Sequence, residues 1–198
     1  MTPEEVKRHF EESGALLSGH FRLSSGLHSD RYLQCAKVLQ FPARAEALGA
    51  ALASSLSPEK ADVVVSPAMG GVVIGHEVGR GLGVRAIFVE RVEGAFQLRR
   101  GFGLAKGERV VVIEDVVTTG KSTGEVLDVL RASGVVPVAC GAIVDRRGSE
   151  RGEAATLAGL PFHALLVLDV ASWEKDACPL CAKGIPLEAP GSRFLAAK

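Results

Sequence analysis

An acidic pair and a polar loop follow one of the most apolar runs in the chain. Residues 110–113 read Val-Val-Val-Ile, Glu114 and Asp115 come next, and the loop 118–123 supplies Thr, Thr, Gly, Lys, Ser and Thr. Its Gly-Lys-Ser at 120–122 invites comparison with nucleotide triphosphatases, whose phosphate loop needs a glycine five positions before that Gly-Lys-Ser. Asp115 occupies this position, so the sequence excludes the triphosphatase loop.

The loop nevertheless has the chemistry of a phosphate site. Backbone N–H groups at the start of a helix bind phosphate, hydroxyl side chains add donors, and Gly120 permits a close approach. The carboxylates of Glu114 and Asp115 suit a different partner, because adjacent acceptors bind a pair of vicinal hydroxyls or organise a metal. Together the two features predict a ribose 5-phosphate site. The alternative is an acidic loop that only caps a helix, with Ser122 or Thr119 as the capping residue.

Length, charge and composition limit the classes of protein to which this chain can belong. The chain has 198 residues, which predicts a single domain, and its 23 basic residues balance 23 acidic ones. This balance gives no general attraction to nucleic acid or to membrane surfaces, and no apolar run reaches the roughly 18 residues of a membrane span. The N-terminus lacks the basic and apolar regions of a secretion signal. We therefore predict a soluble cytoplasmic protein without nucleic-acid or membrane partners.

The order of the apolar runs predicts an α/β fold. Five runs are continuously apolar, which is typical of parallel strands covered by helices on both faces; they are 62–65, 84–89, 109–113, 135–144 and 164–168. The stretches between them predict helices at 41–56, 72–82, 122–133 and 151–158. Ligands of such sheets bind at the carboxyl ends of the strands.

Residues 1–40 do not fit this alternation. They predict a helix over 3–13 and two strand-like pieces between 18 and 39, which we interpret as a small hood beside the sheet. The single domain, 1–198, then consists of this hood, a core sheet over 60–170 and a C-terminal extension over 171–198.

The segment 112–122 resembles the phosphoribosyl pyrophosphate (PRPP) signature of the type I phosphoribosyltransferases, in which an apolar strand precedes two acids, two apolar residues, Thr, Thr or Ala, Gly and a small polar residue. The resemblance implies their fold, a central mostly parallel five-stranded sheet with helices on both faces and an N-terminal hood. Residues 66–71 resemble the pyrophosphate-binding turn of the superfamily. The implied catalytic residues are Glu114, Asp115 and Arg91. The implied PRPP-binding residues are Glu114, Asp115, Val116, Val117, Thr118, Thr119, Gly120, Lys121, Ser122, Ala68, Met69, Gly70 and Arg91.

The N-terminal segment narrows the resemblance to the orotate phosphoribosyltransferases. Residues 25–32 follow the Ser-Gly-x-x-Ser-x-x-Tyr pattern that contributes to the pyrimidine pocket in that family, and Asp145-Arg146 resembles its Asp-Arg after the fourth strand. A guanidinium binds a carboxylate through two parallel hydrogen bonds, which suits Arg146 to orotate. The implied orotate-binding residues are Ser25, Gly26, Tyr32, Thr118 and Arg146. An ordinary hairpin turn and a solvated arginine are the alternatives.

The resemblance also implies a reaction and its partners. Orotate and PRPP would give orotidine 5-monophosphate and pyrophosphate in pyrimidine biosynthesis. Mg²⁺ is the implied cofactor, held by pyrophosphate and the ribose hydroxyls and not directly by the protein. Members of the family are commonly homodimers, so a homodimer is expected here.

The segment 88–102 departs from the family's mobile catalytic loop. Only Arg91 matches, the loop's lysines and histidine have no counterpart, and Gly70 stands where a lysine is common. Arg99 and Arg100 are candidates to supply the missing charge. Two other functions therefore stay open, namely a purine or xanthine phosphoribosyltransferase and a regulator that binds PRPP or a nucleotide without turnover.

Cys178 and Cys181 form a close pair near the C-terminus. Structural zinc sites have four ligands, and only Cys35, Cys140 or a distant histidine could complete one here. We interpret the pair first as free thiols, with half of a zinc site or a redox pair as the alternatives.

Overall fold

The computed structural model describes residues 1–23, 25–148 and 156–190. In these ranges the strands are β1 (Leu16–Arg22), β2 (His28–Leu33), β3 (Val63–Pro67), β4 (Arg85–Val92), β5 (Ala95–Leu98), β6 (Arg109–Val117), β7 (Val136–Asp145), β8 (Thr156–Leu157), β9 (Leu160–Val167) and β10 (Ser172–Trp173). The α-helices are α1 (Pro3–Glu12), α2 (Cys35–Leu39), α3 (Pro42–Leu56), α4 (Gly70–Leu82), α5 (Lys121–Ala132) and α6 (Pro179–Ala182). None of these helices is long and apolar enough to cross a membrane.

The central sheet has the strand order β5-β4-β3-β6-β7-β9-β8. Its inner strands β4, β3, β6, β7 and β9 are mutually parallel and correspond to the five predicted runs. Alternate residues of β6 enter two different cores: Val111 and Ile113 pack with α1, α3 and α4, whereas Val110 and Val112 pack with α5. Helices therefore cover both faces, and the predicted α/β architecture is confirmed.

The predicted number of five strands is wrong, because two short antiparallel strands extend the edges of the sheet. β5 pairs with β4 across a turn in which Glu93 and Gly94 have φ values of 49° and 89°. β8 pairs with β9 across Ala158 and Gly159, with φ values of 50° and 80°. Turns with two positive φ values match the twist of a hairpin. Strands of four and two residues are too short to show a hydrophobic period in the sequence.

The helix predicted at 151–158 is wrong for the described part of this segment, which forms a strand. Residues 151–155 lie outside the described ranges, and Thr156 and Leu157 form β8. Leu157 is buried with the residues of α5 in the core on that face. The other predicted core helices correspond to α3, α4 and α5, whereas the short helix α2 was not predicted.

The N-terminal elements form a hood with its own sheet. β2 lies between β1 and β10, so a piece of the C-terminal extension completes the hood. Glu188 adds to this connection, because its carbonyl accepts a hydrogen bond from the Arg22 N–H and its N–H donates to the His20 carbonyl, both at 2.8 Å. A capping box between Thr2 and Glu5 starts α1, a feature that stabilises a helix by about 1 kcal/mol.

Candidate active site

Two neighbouring parallel strands bring predicted site residues to the same edge of the sheet. β3 and β6 pair directly; β6 carries Glu114 and Asp115 towards its carboxyl end, and the turn 68–70 follows β3. The peptide bond between Ala68 and Met69 is cis. A Cβ built on Gly70 would lie 2.8 and 2.9 Å from the two carboxylate oxygens of Asp115. The turn and the acid are therefore in contact, and only a glycine leaves room for this contact.

The polar loop after β6 encloses a hollow of about 60 Å³, lined by Glu114 and by Val116 to Thr123. α5 begins at Lys121, and its N-cap, Gly120, offers no side-chain hydrogen bond. Thr119 accepts one weak hydrogen bond, from the Lys121 N–H at 3.3 Å, and Ser122 lies within the helix. The first N–H groups of a helix have no partners inside it and attract anions. The loop is thus better suited to hold an anion than to cap α5 by a side chain.

Gly120 makes this loop possible, and its replacement provides a test. Its φ is 75°, and a Cβ there would lie 2.6 Å from Cδ1 of Leu157. We expect Gly120→Ala to lower the free energy of unfolding by about 1–2 kcal/mol. The affinity for ribose 5-phosphate should fall at least about tenfold, because the N–H groups move. Urea denaturation and titration calorimetry measure the two effects.

Gly124 supplies the matched control for this substitution. It lies within α5, and a Cβ there meets no atom within 4 Å. Gly124→Ala should keep the affinity and leave stability unchanged or slightly higher, since alanine favours helix. Equal affinity and stability of the two alanine variants would contradict the role of Gly120.

Burial changes the acid–base behaviour of the acidic pair. Desolvation, reinforced by the charge of Asp115, raises the pKa of Glu114 from 4.5 to about 8. Desolvation also raises the pKa of Asp115, while hydrogen bonds from the Val116 N–H, at 2.8 Å, and from the Cys35 thiol oppose the rise. The empty pair therefore holds a proton at neutral pH. Hydroxyl donors or a cation would favour its ionised form.

The raised pKa of Glu114 predicts a pH-dependent stability. Its folded-state pKa lies above the unfolded-state value of 4.5, so the cost of burying the ionised form is absent below pH 4.5 and complete above about pH 8. We expect Glu114→Gln to raise the free energy of unfolding at pH 9 by about 2–4 kcal/mol, with little change at pH 4. Urea denaturation at both pH values tests this, with exposed Glu174→Gln as the control. The same difference from wild type at pH 4 and pH 9 would contradict it.

Arg146 lies beside the loop and lacks a complete set of partners. Its backbone N–H donates to the Val117 carbonyl at 2.8 Å, which holds it next to the end of β6. The side chain is partly buried, and desolvation lowers its pKa. Nε is buried without a hydrogen-bond partner among the described residues. Buried donors are nearly always paired, so Nε is available to an acceptor from water or from a ligand.

A larger cavity of about 440 Å³ adjoins Asp115 and the turn 68–70. Its lining consists of Gln34, Ala36, Leu39, Gln40, Met69, Gly70, Val73 and Asp115. The contribution of residues 34–40 to this cavity was not predicted from the sequence. These contacts join residues that are distant in the chain, such as the Cys35 thiol and the Asp115 carboxylate. No local sequence pattern predicts such contacts.

The orotate-binding residues predicted in the β1–β2 hairpin do not line either of these two cavities. Ser25 and Gly26 are exposed at the tip of the β1–β2 hairpin, and Tyr32 packs against Phe21 with 5.8 Å between ring centroids. None of these three residues lines either cavity. Thr118 lines the small hollow.

Arg91 and Arg100 of the β4–β5 region have partners within the chain. Arg91 bonds to Glu125 of α5 at 2.5 Å and stacks on Phe96 at 4.1 Å. Arg100 makes two hydrogen bonds to Glu90, at 2.7 and 2.9 Å, and Arg99 is exposed. Arg91 therefore forms an ion pair with α5, the helix that follows the polar loop.

Known proteins are similar to this chain in both sequence and fold. A family profile described as a phosphoribosyl transferase domain matches residues 36–156. The orotate phosphoribosyltransferase of Heliobacterium modesticaldum is 50% identical over 195 residues, which cover 98% of this chain and 100% of that protein. The orotate phosphoribosyltransferase of Caldanaerobacter subterraneus subsp. tengcongensis is 46% identical over 195 residues, with the same coverage. The crystal structure of orotate phosphoribosyltransferase from Aeropyrum pernix superposes with a TM-score of 0.66 at 26% identity, covering 82% of this chain and 93% of that one.

Proposed function

Because this chain belongs to the orotate phosphoribosyltransferase family, we infer that it transfers the 5-phosphoribosyl group from PRPP to orotate. The products are orotidine 5-monophosphate and pyrophosphate, and the reaction is a pentosyl transfer of pyrimidine biosynthesis. The observation that carries this function is the identity of 46–50% to proteins of that name over 98% of the chain.

For the PRPP site, we propose that the 5-phosphate occupies the hollow lined by 116–123. The uncapped N-terminus of α5 supports this placement, since its free N–H groups and the helix dipole favour an anion. Glu114 and Asp115 then accept hydrogen bonds from the 2- and 3-hydroxyls of the ribose. The turn 68–70, in contact with Asp115, lies where the pyrophosphate would bind.

The chemistry requires no covalent nucleophile from the protein. As pyrophosphate leaves C1 of the ribose, the ring gains oxocarbenium character, and orotate attacks from the opposite side. The chain contributes by positioning both substrates and by placing the negative charge of Asp115 and Glu114 beside the positive ring. Binding of PRPP should ionise the pair fully, because its hydroxyls donate hydrogen bonds to both carboxylates.

Mg²⁺ is the proposed cofactor, and the acidic pair fits a nearby divalent cation. Two buried carboxyl groups with raised pKa values ionise more readily beside a positive charge. Pyrophosphate and the ribose hydroxyls would hold the ion with several waters, as is usual for Mg²⁺ at phosphates. The ion supplies charge neutralisation to the leaving pyrophosphate.

Arg146 and Thr118 are the proposed contacts to orotate nearest the reacting carbon. The buried, unpartnered Nε of Arg146 supports a bond to the orotate carboxylate. Ser25, Gly26 and Tyr32 complete the proposed set from the hairpin, which would have to close onto the base. In our proposal the hairpin therefore moves towards the base when orotate binds.

A cytoplasmic homodimer is the proposed form of the enzyme. An apolar cleft of about 320 Å³ between α4 and β4 supports a subunit contact, because exposed Val73 lines it and exposed Met69 lies at the start of α4. In this proposal Arg91 keeps its place in the family loop, and Arg99 and Arg100 supply the charge of the missing loop cations. Light scattering after size-exclusion chromatography should give the mass of two chains.

The loss of orotate absorbance on mixing the protein with orotate, PRPP and Mg²⁺ tests the function. Uracil, hypoxanthine and xanthine are run in parallel, and consumption of orotate alone is the expected result. Turnover of a purine instead would identify a purine enzyme. Saturable PRPP binding with no turnover of any base would identify a regulator.

A further inference from the structure

We propose that His20, His28, Cys178 and Cys181 bind a structural Zn²⁺ ion that joins the hood to the C-terminal extension. The two histidines come from β1 and β2, and the two cysteines flank the start of α6. One ligand atom from each residue lies within 4.8 Å of all the others, the only such group of histidine, cysteine and acidic side chains in the described ranges. The sequence could not show this meeting, because about 150 residues separate the cysteines from the histidines.

The distances agree with a tetrahedral ion. Zn–N bonds of about 2.0–2.1 Å and Zn–S bonds of about 2.3 Å place tetrahedral ligands about 3.4 Å apart for N–N and about 3.6 Å for N–S. The His20 Nε2 to His28 Nδ1 distance is 2.9 Å. The N–S distances are 3.5 Å from Cys178 to His20, 3.7 Å from Cys181 to His20 and 3.3 Å from Cys181 to His28. Small side-chain shifts would bring all four atoms to coordination distance.

The imidazole of His20 is already oriented as a metal ligand. Its Nδ1 lies 2.7 Å from the Ile185 carbonyl, which has no proton to donate, so Nδ1 carries the hydrogen. Nε2 then has a free lone pair directed at His28 and the two sulfur atoms. Metal-binding histidines commonly donate their other N–H to a backbone carbonyl in this way.

Charge and burial favour zinc over a redox role for the cysteines. Two thiolates and two neutral imidazoles cancel the charge of Zn²⁺, so a neutral centre can be buried where His20, His28 and Cys178 are each at most 3% exposed. Binding releases the two thiol protons to solvent. A disulfide would use only the sulfur atoms and leave the two imidazoles joined by a hydrogen bond, whereas zinc uses all four ligand atoms. Four protein ligands close the coordination sphere, which is the mark of a structural rather than a catalytic site.

The ion would fix a hairpin that matters for the proposed orotate site. His20 and His28 stand on either side of the turn that carries Ser25 and Gly26, and Cys178 and Cys181 hold the extension that supplies β10. Zinc would therefore fix the base of the turn that carries Ser25 and Gly26.

Metal analysis of the untagged protein, grown with zinc and purified without chelator, tests the proposal. We expect about one Zn²⁺ per chain in wild type and less than about a fifth of that in Cys181→Ser, whose side chain is partly exposed and tolerates replacement. Cys140→Ala removes a buried thiol of the core sheet and should keep the full zinc content. Removing zinc with a chelator should lower the wild-type Tm by about 5–10 °C.

Cobalt gives a second readout that needs no variant. Wild type stripped of metal and refilled with Co²⁺ should show the strong visible bands of a tetrahedral ion and a thiolate charge-transfer band. Zinc-free wild type that stays colourless with Co²⁺, or a zinc content equal in Cys181→Ser and wild type, would overturn the proposal. A Cys178–Cys181 disulfide in protein purified under nitrogen would identify a redox pair instead.

Discussion

Replacing Asp115 by asparagine should lower kcat/KM by about 10²–10³-fold while the fold persists. The carboxylate is partly buried, contacts the turn at Gly70 and accepts hydrogen bonds from Val116 and Cys35. Asparagine has nearly the same shape, yet it removes the negative charge that the proposed mechanism places beside the ribose. Most of the loss should be in kcat, because that charge acts most strongly when the ring becomes positive.

Asp128 supplies a control for this substitution. It is exposed on α5 and pairs only loosely with Arg131, at 3.6 Å, so Asp128→Asn should leave kcat/KM unchanged. The Asp115 variant should unfold at a Tm equal to or above that of wild type, since a buried charge is removed. Full activity of Asp115→Asn would refute the role assigned to the acidic pair.

The second large effect is expected at Arg146. Arg146→Ala should raise the KM for orotate about a hundredfold and change the Kd for PRPP by less than about threefold, because we propose that the guanidinium binds the orotate carboxylate and not the phosphate. Arg146→Lys should be intermediate, since lysine keeps the charge but not the paired N–H groups. Steady-state kinetics and calorimetry with PRPP measure the two constants.

A change in the KM for orotate without a change in the Kd for PRPP would show that Arg146→Ala removes a binding contact and does not damage the fold. Exposed Arg8→Ala in α1 is the control and should behave as wild type. If Arg146→Ala weakened PRPP as much as orotate, or left both unchanged, the assignment of Arg146 to the orotate carboxylate would be wrong.

The sequence predicted the parallel core and the polar loop between β6 and α5 because both depend on local signals. Continuous apolar runs such as 109–113 mark buried strands, and the acids, hydroxyls and Gly120 of the loop follow one another along the chain. The confirmed strands and helices of the core are therefore those with a clear hydrophobic pattern. β5 and β8 were missed because strands of four and two residues have no such pattern.

The rest of the site depends on contacts between distant segments. Cys35 under Asp115, the cavity lined by Gln34 and Gln40, and the bond from Arg91 to Glu125 all join elements far apart in sequence. The same is true of the cluster of His20, His28, Cys178 and Cys181. Residue spacing carries no information on such contacts, which follow from how α2, the hood and the extension pack.

A crystal structure of the complex with orotidine 5-monophosphate tests the central claim most directly, because the product spans the proposed phosphate, ribose and base contacts. The account predicts the phosphate on the N–H groups of 119–122, the ribose hydroxyls on Glu114 and Asp115, and the pyrimidine carboxylate on Arg146. A phosphate bound outside the loop 118–122, or a carboxylate without contact to Arg146, would contradict it.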